Sequence, residues 1–179
     1  LKPGLFIAHG RDAAGEVWFD DLACSDLAGH VSPRAFLGGV ESARQARAPR
    51  CQAQHKGSFG DVLVVGGASG MTAAALLAGR AALAAGAGRV HVSVLDTAAP
   101  GLDPLWPELM FRPGFWRHDA AALAASTVVC GCGGGEAVRE ALPSLLNRAG
   151  RLVLDADALN AIAADTSLQT LLMTRAERS

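Results

Sequence analysis

Tyrosine is absent from this 179-residue chain, which excludes any mechanism that takes its proton from a phenol. Paired cysteines are missing as well. Cys24, Cys51, Cys130 and Cys132 are scattered, and the closest two have one residue between them, a spacing that fits neither a zinc knuckle nor a CxxC redox pair. They are expected as buried, reduced thiols serving as small apolar residues of a core. Neither sign of charge is in excess, and a net charge of −1 gives no electrostatic case for nucleic acid or an anionic membrane as partner. Apolar runs are broken by Gly, Arg or Asp before the roughly 20 residues that a membrane span needs, and no charged-then-apolar leader opens the chain. A soluble, cytoplasmic protein is the expectation.

What is present is apolar and glycine-rich. Half of the residues are hydrophobic, enough for one main domain with an appendage. The chain opens at Leu1 without Met and stops at Arg175-Ala176-Glu177-Arg178-Ser179, which reads as a last helical turn, so a piece of a longer protein is expected. Residues 1–22 alternate turn signals with short apolar runs (Lys2-Pro3-Gly4, Leu5-Phe6-Ile7, Gly10-Arg11-Asp12, Glu16-Val17-Trp18-Phe19) and predict one or two short strands. Residues 23–50 have no sustained period and read as a linker.

From Cys51 onward the pattern is regular. Asp61–Val65 predicts a buried strand, Thr72–Ala85 a helix ended by Gly86 and Gly88, and Arg89–Leu95 a second strand. The Pro-rich residues 100–114 read as a loop and Asp119–Ala125 as a short helix. Thr127–Cys130 predicts a third strand, Glu136–Asn147 a helix and Arg151–Asp155 a fourth strand, with two helical stretches between Ala158 and Arg178. Such alternation implies an α/β domain with a mostly parallel sheet, helices on both faces, and ligands at the carboxyl ends of the strands.

Three strand ends carry candidate chemistry. In the first, Gly66-Gly67-Ala68-Ser69-Gly70 opens onto an alanine-rich helix, an arrangement that admits phosphate to bare backbone N–H groups. A dehydrogenase-type dinucleotide fingerprint does not fit. Thr72 stands where a third glycine is needed, the first acid of the next strand comes late, at Asp96, and no Tyr is available as proton donor. The second, Gly131-Cys132-Gly133-Gly134-Gly135, bares so much backbone that close approach of a ligand is expected. The third holds Asp155, a ligand for magnesium or a hydroxyl group or else an internal hydrogen-bond acceptor, and Asp157, a helix cap. Lys56, beside His55, is solvated or faces phosphate. His9, His30, His91 and His118 receive no role.

Read together, His55-Lys56-Gly57, Val65-Gly66-Gly67, Met71-Thr72-Ala73-Ala74-Ala75, Gly86-Ala87-Gly88, Pro107-Glu108-Leu109-Met110, the Gly131–Gly135 turn and Leu154-Asp155-Ala156-Asp157-Ala158-Leu159-Asn160 resemble one family. It is the ribokinase-like ADP- or ATP-dependent NAD(P)H-hydrate dehydratase. Residues 1–22 also resemble the tail of an NAD(P)H-hydrate epimerase domain, so that the order would be epimerase remnant (1–22), linker (23–50) and the N-terminal part of the dehydratase domain (51–179) of a bifunctional enzyme. The resemblance implies a nucleotide-repair lyase. A phosphoryl group passes from ADP or ATP, with Mg2+, to the ring hydroxyl of hydrated NADH or NADPH, and phosphate then leaves to restore the double bond. It implies that Ala73, Ala74, Gly131, Gly133 and Gly135 bind the hydrated cofactor, and that Lys56, Gly66, Gly67, Asp155 and Asn160 serve nucleotide or phosphate. Small-molecule nucleotides are the implied partners, within a homo-oligomer. Two departures stand out: Ala73 replaces a usual Gly, adding a methyl at a close-packed place, and Cys132 replaces a usual Pro, loosening a turn. The family's His-Pro-Gly-Glu segment, Lys-Gly loop and catalytic Gly-x-Gly-Asp turn are not among these residues, so no catalytic base is assigned here. A ribokinase-type small-molecule kinase, or a non-catalytic nucleotide-binding or assembly module, are the alternatives.

Overall fold

The computed structural model describes residues 2–20, 22–23, 36–45 and 49–176, and the chain divides into two units, Leu1–Arg50 and Cys51–Ser179. In the first unit Pro3–Leu5 is a single 3-10 turn, Ala8–Ala14 is helix α1 and Val40–Gln45 is helix α2. Its described residues contain no strand, which corrects the short β appendage expected over residues 1–22. The cause is local. Pro3 presets the backbone at the first helical position, its carbonyl accepts the Phe6 N–H at 2.9 Å, and the alanines of α1 favour helix. Leu5-Phe6-Ile7 is thus consumed by turn and helix start. Helix α2 likewise lies within the stretch read as linker, while Cys24 lies outside the described residues.

The second unit runs β1 (Asp61–Gly66), α3 (Thr72–Ala85), β2 (Arg89–Val94), β3 (Met110–Phe111), α4 (Phe115–His118), α5 (Ala120–Ala125), β4 (Thr127–Cys130), α6 (Val138–Arg148), β5 (Arg151–Leu154), α7 (Ala156–Ala163) and α8 (Thr166–Ala176). The strands form one sheet in the order β3-β2-β1-β4-β5, and every pairing is parallel. Strand β3 falls in the stretch expected as loop. Leu109 is buried, and Met110 and Phe111 pair with His91 and Val92. Two paired residues show no period of two, so hydrogen bonding to β2, not local pattern, makes this strand.

Strand alternation sorts the core into two faces. Val64, Val90 and Val92 meet Ala75 of α3, while Leu63, Val65, Val128 and Cys130 meet Leu142, Leu145 and Leu146 of α6 with Phe115 and Trp116 of α4. This gives helix, sheet and helix layers. Gly79 lets α3 sit close on the sheet, since a Cβ there would stand 3.2 Å from both Val92 and Leu109. Arg80 of α3 reaches the buried Asp103 carboxylate with two hydrogen bonds, of 2.7 and 2.8 Å, fixing the long β2–β3 connection to the helix. The guanidinium holds that carboxyl below the usual range. Strand β5 pairs only with β4 among the described residues, and Val153, beside Val129 in register, stays 52% exposed.

His91 is buried on β2, stacked on Phe115 with ring centroids 5.6 Å apart, and its Nδ1 has no partner. Burial, then the nearby Arg112 charge, lowers its pKa from the ordinary 6.5. The folded chain therefore resists a proton that the unfolded chain accepts. The stability due to neutral His91 is complete above pH 6.5 and is lost as pH falls toward the depressed folded value. The unfolding free energy from urea titrations is expected to drop by about 1 kcal/mol between pH 7.5 and pH 5.5, and His91→Phe is expected to flatten that slope.

Candidate functional site

The crevice lies where the winding of the sheet reverses, between β1 and β4. After β1 the chain turns through Gly67, at φ +67°, and Gly70, at φ +77°, before α3 begins. After β4 it turns through Gly131–Gly135. Backbone bonds lock the two turns together: the Gly67 N–H donates to the Cys132 carbonyl at 2.9 Å and the Ala68 N–H to the Gly133 carbonyl at 2.7 Å. The third strand end is tied in as well. The Asp155 N–H donates to the Cys130 carbonyl at 2.9 Å, and Asp157 Oδ2 accepts the Gly135 N–H at 2.8 Å. Ala73, Ala74, Gly66, Gly67, Gly131, Gly133, Gly135 and Asp155 are thus brought to one end of the sheet.

Glycine is required here by the protein's own neighbours. Gly133 has φ +57°, and a Cβ on it would stand 2.9 Å from the Cβ atoms of Ala74 and Met71 and from the Met71 carbonyl oxygen. A Cβ on Gly131, at φ +119°, would strike the Asp155 carbonyl. One on Gly66 would strike the Cys132 carbonyl. A Cβ on Gly135, at φ +50°, would stand 3.2 Å from the flexible Met71 Cε and at an ordinary 3.5 Å from the Ala68 Cβ. Bare backbone at these positions lets the turns interlock before any ligand arrives.

The interlock leaves the start of α3 bare. Its N-cap is Met71, whose side chain makes no capping hydrogen bond; the Met71 N–H donates to the Ala68 carbonyl at 2.8 Å and the Ala74 N–H to the Met71 carbonyl at 3.0 Å, which leaves the Thr72 and Ala73 N–H groups of this 14-residue helix to present their partial positive charge. Ala73 is exposed, and Ala74 is half-buried against Gly133. Asp157 takes a turn-fixing role in place of the expected cap of its own helix. The Cys132 carbonyl is held by the Gly67 N–H; burial, and then the Asp155 carboxylate beside it, raise the Cys132 thiol pKa. Cys130 is pushed up to about 12 by burial, while Cys51 is exposed, contrary to the expectation of buried thiols.

One predicted residue stands apart. Lys56 belongs to a 3-10 turn, Lys56–Phe59, that precedes β1 and touches the start of β2, at the opposite end of the strands from Gly66. Six residues of strand, about 20 Å, separate it from the glycine turns. Neighbouring His55 caps that turn, its Nδ1 accepting the Gly57 N–H at 3.1 Å. Asn160 is exposed on α7, one turn beyond Asp157. Asp96 is the residue that sequence reasoning discounted: its N–H donates to the Gly67 carbonyl at 3.0 Å, directly beside the first turn. Its place at the end of the second strand was the available signal. Among the described residues no group of three His, Cys, Asp or Glu side chains is arranged to hold a metal ion, and no helix is long and apolar enough to cross a membrane.

Comparison with known families shows which family the chain belongs to. The profile for NAD(P)H-hydrate dehydratase matches residues 62–176, which include all three strand ends. The chain belongs to that family. Among dehydratase relatives, the bifunctional NAD(P)H-hydrate repair enzyme Nnr of Escherichia coli is 32% identical over 166 residues, covering 91% of this chain and 32% of the relative. The ADP-dependent (S)-NAD(P)H-hydrate dehydratase of Neisseria meningitidis is 35% identical over 125 residues, covering 68% of this chain and 42% of the relative. Among solved structures, the ADP/ATP-dependent NAD(P)H-hydrate dehydratase of Bacillus subtilis, co-crystallised with ATP and Mg2+, superposes with a TM-score of 0.55 at 31% identity, over 66% of this chain and 45% of that one. A ribokinase-like superfamily protein of Enterococcus faecalis, with a TM-score of 0.54 at 22% identity, shares the fold. The chain spans 32%, 42% and 45% of the length of these dehydratase relatives.

Proposed function

We propose that these residues form the hydrated-cofactor-binding half of an ADP- or ATP-dependent (S)-NAD(P)H-hydrate dehydratase. The observation that carries the reading is the junction of Ala74 with Gly133 beneath the uncapped start of α3, within residues matched by the family profile. Hydroxide is a poor leaving group and phosphate a good one, so converting a ring hydroxyl into a phosphate ester allows elimination to restore the dihydropyridine double bond. The work of the protein is positioning and charge neutralisation. The α3 N–H groups suit the negatively charged pyrophosphate of the dinucleotide, and the interlocked turns hold it in a fixed register. Asp155, exposed at the third strand end, is suited to hold Mg2+ as a single carboxylate alongside phosphate oxygens. We assign residues 1–22 to the tail of an epimerase domain and 23–50 to a linker, a reading supported by the 91% coverage of this chain by a bifunctional relative.

By resemblance the base belongs to a Gly-x-Gly-Asp turn that these 179 residues do not contain. The chain is expected to bind (S)-NADPH hydrate without dehydrating it. Equilibrium dialysis together with recovery of NADPH absorbance in the presence of ADP and Mg2+ checks this, and turnover by the chain alone would contradict it. A charge variant tests the anion site. Ala73→Asp places an acid in the exposed first turn of α3, which favours the helix by about 0.3–1 kcal/mol and repels the pyrophosphate. Binding is expected to weaken about tenfold while the thermal midpoint holds or rises.

A further inference from the structure

Helix α3 is apolar all round. Arg80 is its only charged residue, whereas a helix at a water-facing surface carries polar residues along its outer side. Ala75, Gly79 and Ala82 face the sheet. The opposite side presents Leu77, Ala81 and Ala84, at i, i+4 and i+7, to solvent, and Leu77 is 63% exposed. The single charge is neutralised at this surface. Its guanidinium, one turn from both Leu77 and Ala84, is bound through two hydrogen bonds by Asp103, whose carboxylate is 1% exposed. That bond also holds the β2–β3 connection against the helix. Asp103 Oδ1 accepts the Leu105 N–H at 3.0 Å, so residues 101–108 are shaped around a buried carboxylate while every other residue among them is exposed. Leu102 is 55%, Leu105 75% and Trp106 36% exposed.

Exposed leucines and a tryptophan held in one shape by a buried ion pair form a preorganised apolar patch, the kind of surface that soluble proteins keep for a partner. Charge decides which partner. With Arg80 neutralised and Glu108 at the margin, the patch has no free charge at its centre, so a charged segment docking there would lose its hydration without gaining a counter-charge. A second copy of the same neutral surface meets no such cost. The small side chains of Ala81 and Ala84 let two α3 helices approach closely, and a two-fold axis places the same residues on both sides of the contact. The patch is also remote from the open edge of the sheet: α3 packs on β1 and β2, whereas the unpaired strand side belongs to β5. We propose that the outer face of α3, together with the turn from Leu102 to Trp106, is an interface between two copies of this chain related by a two-fold axis. A stable interface buries roughly 800 Å² on each partner, more than the four large side chains supply, so the alanines of α3 and the exposed Pro104 and Pro107 are covered with them.

Sedimentation equilibrium of the full chain, from micromolar to submillimolar concentration, tests this. A reversible monomer–dimer equilibrium is expected, weakened at least about tenfold by Leu77→Glu and by Leu105→Glu, since each puts one carboxylate per copy into the contact with no counter-charge. Both leucines are exposed in the single chain, so circular dichroism and the urea midpoint at micromolar concentration are expected to match those of the parent. The two substitutions lie on separate elements, and loss of fold in one leaves the other to decide. Val153→Glu, on the open β5 strand, is expected to leave the dimer intact. A chain that stays monomeric throughout overturns the proposal. A dimer that tolerates both leucine variants overturns it as well, and one abolished by Val153→Glu instead places the contact at the β5 edge. Binding to phosphatidylcholine vesicles by a chain that remains monomeric assigns the patch to a lipid surface and likewise overturns the two-fold interface.

Discussion

Gly131→Ala is expected to destabilise the second unit by about 3–5 kcal/mol. Two costs combine. At φ +119° an L side chain is strained by about 1–2 kcal/mol, and the new Cβ meets the Asp155 carbonyl, a backbone atom that moves only by dragging the β5–α7 junction with it. The Asp155 N–H is itself bonded to the Cys130 carbonyl, so relief on one side breaks a bond on the other. Gly101→Ala is the control, because nothing lies within 4 Å of a Cβ there and φ is unremarkable for an L residue. Urea unfolding of the two variants should separate them by most of the expected difference.

Gly133→Ala is expected to damage function more than stability. Its Cβ would push on Ala74, Met71 Cβ and the Met71 carbonyl, each at 2.9 Å, and those atoms form the start of α3. A loss of about 2–3 kcal/mol in stability is the structural part. Affinity for (S)-NADPH hydrate is expected to fall about 100-fold, because a displacement on the order of 1 Å at the helix start misaligns the N–H groups that meet the pyrophosphate. The Gly135→Ala variant separates the two effects. Its Cβ meets the end of a flexible methionine and, at van der Waals distance, the Ala68 Cβ, so its cost is chiefly backbone strain, and a binding loss confined to Gly133→Ala would locate the contact at the α3 junction.

The repeating part of this fold was legible because burial imposes a period. Thr72–Ala85 and Thr127–Cys130 end where the sequence predicts, since Gly86, in a left-handed cap, and the glycines after Cys130 terminate them sharply. Strand β3 was illegible because two residues carry no period, and its existence depends on bonds to β2 that are distant in sequence. The first unit misled in the opposite direction, its short apolar runs being compatible with strand until the Pro3 carbonyl closes a turn. At the site, glycine clusters marked the right strand ends, but sequence could not say that Gly131 and Gly133 answer to Asp155, Ala74 and Met71. Lys56 was grouped with them by nearness along the chain, and the strand that follows it carries the chain to the other end of the sheet. Asp96 was discounted by counting residues, whereas its hydrogen bond to Gly67 brings it to the crevice.

The central claim is that hydrated NAD(P)H docks on the interlocked turns at the carboxyl end of the sheet. An amide-resolved NMR titration of the chain with (S)-NADPH hydrate tests it most directly. Saturable shifts are expected at Thr72–Ala74, at Gly133 and at Gly135, with the Lys56–Phe59 turn at the far end of the strands unmoved. Shifts centred on Lys56–Phe59, or no saturable shift at Gly133 while the ligand binds elsewhere, would contradict the account.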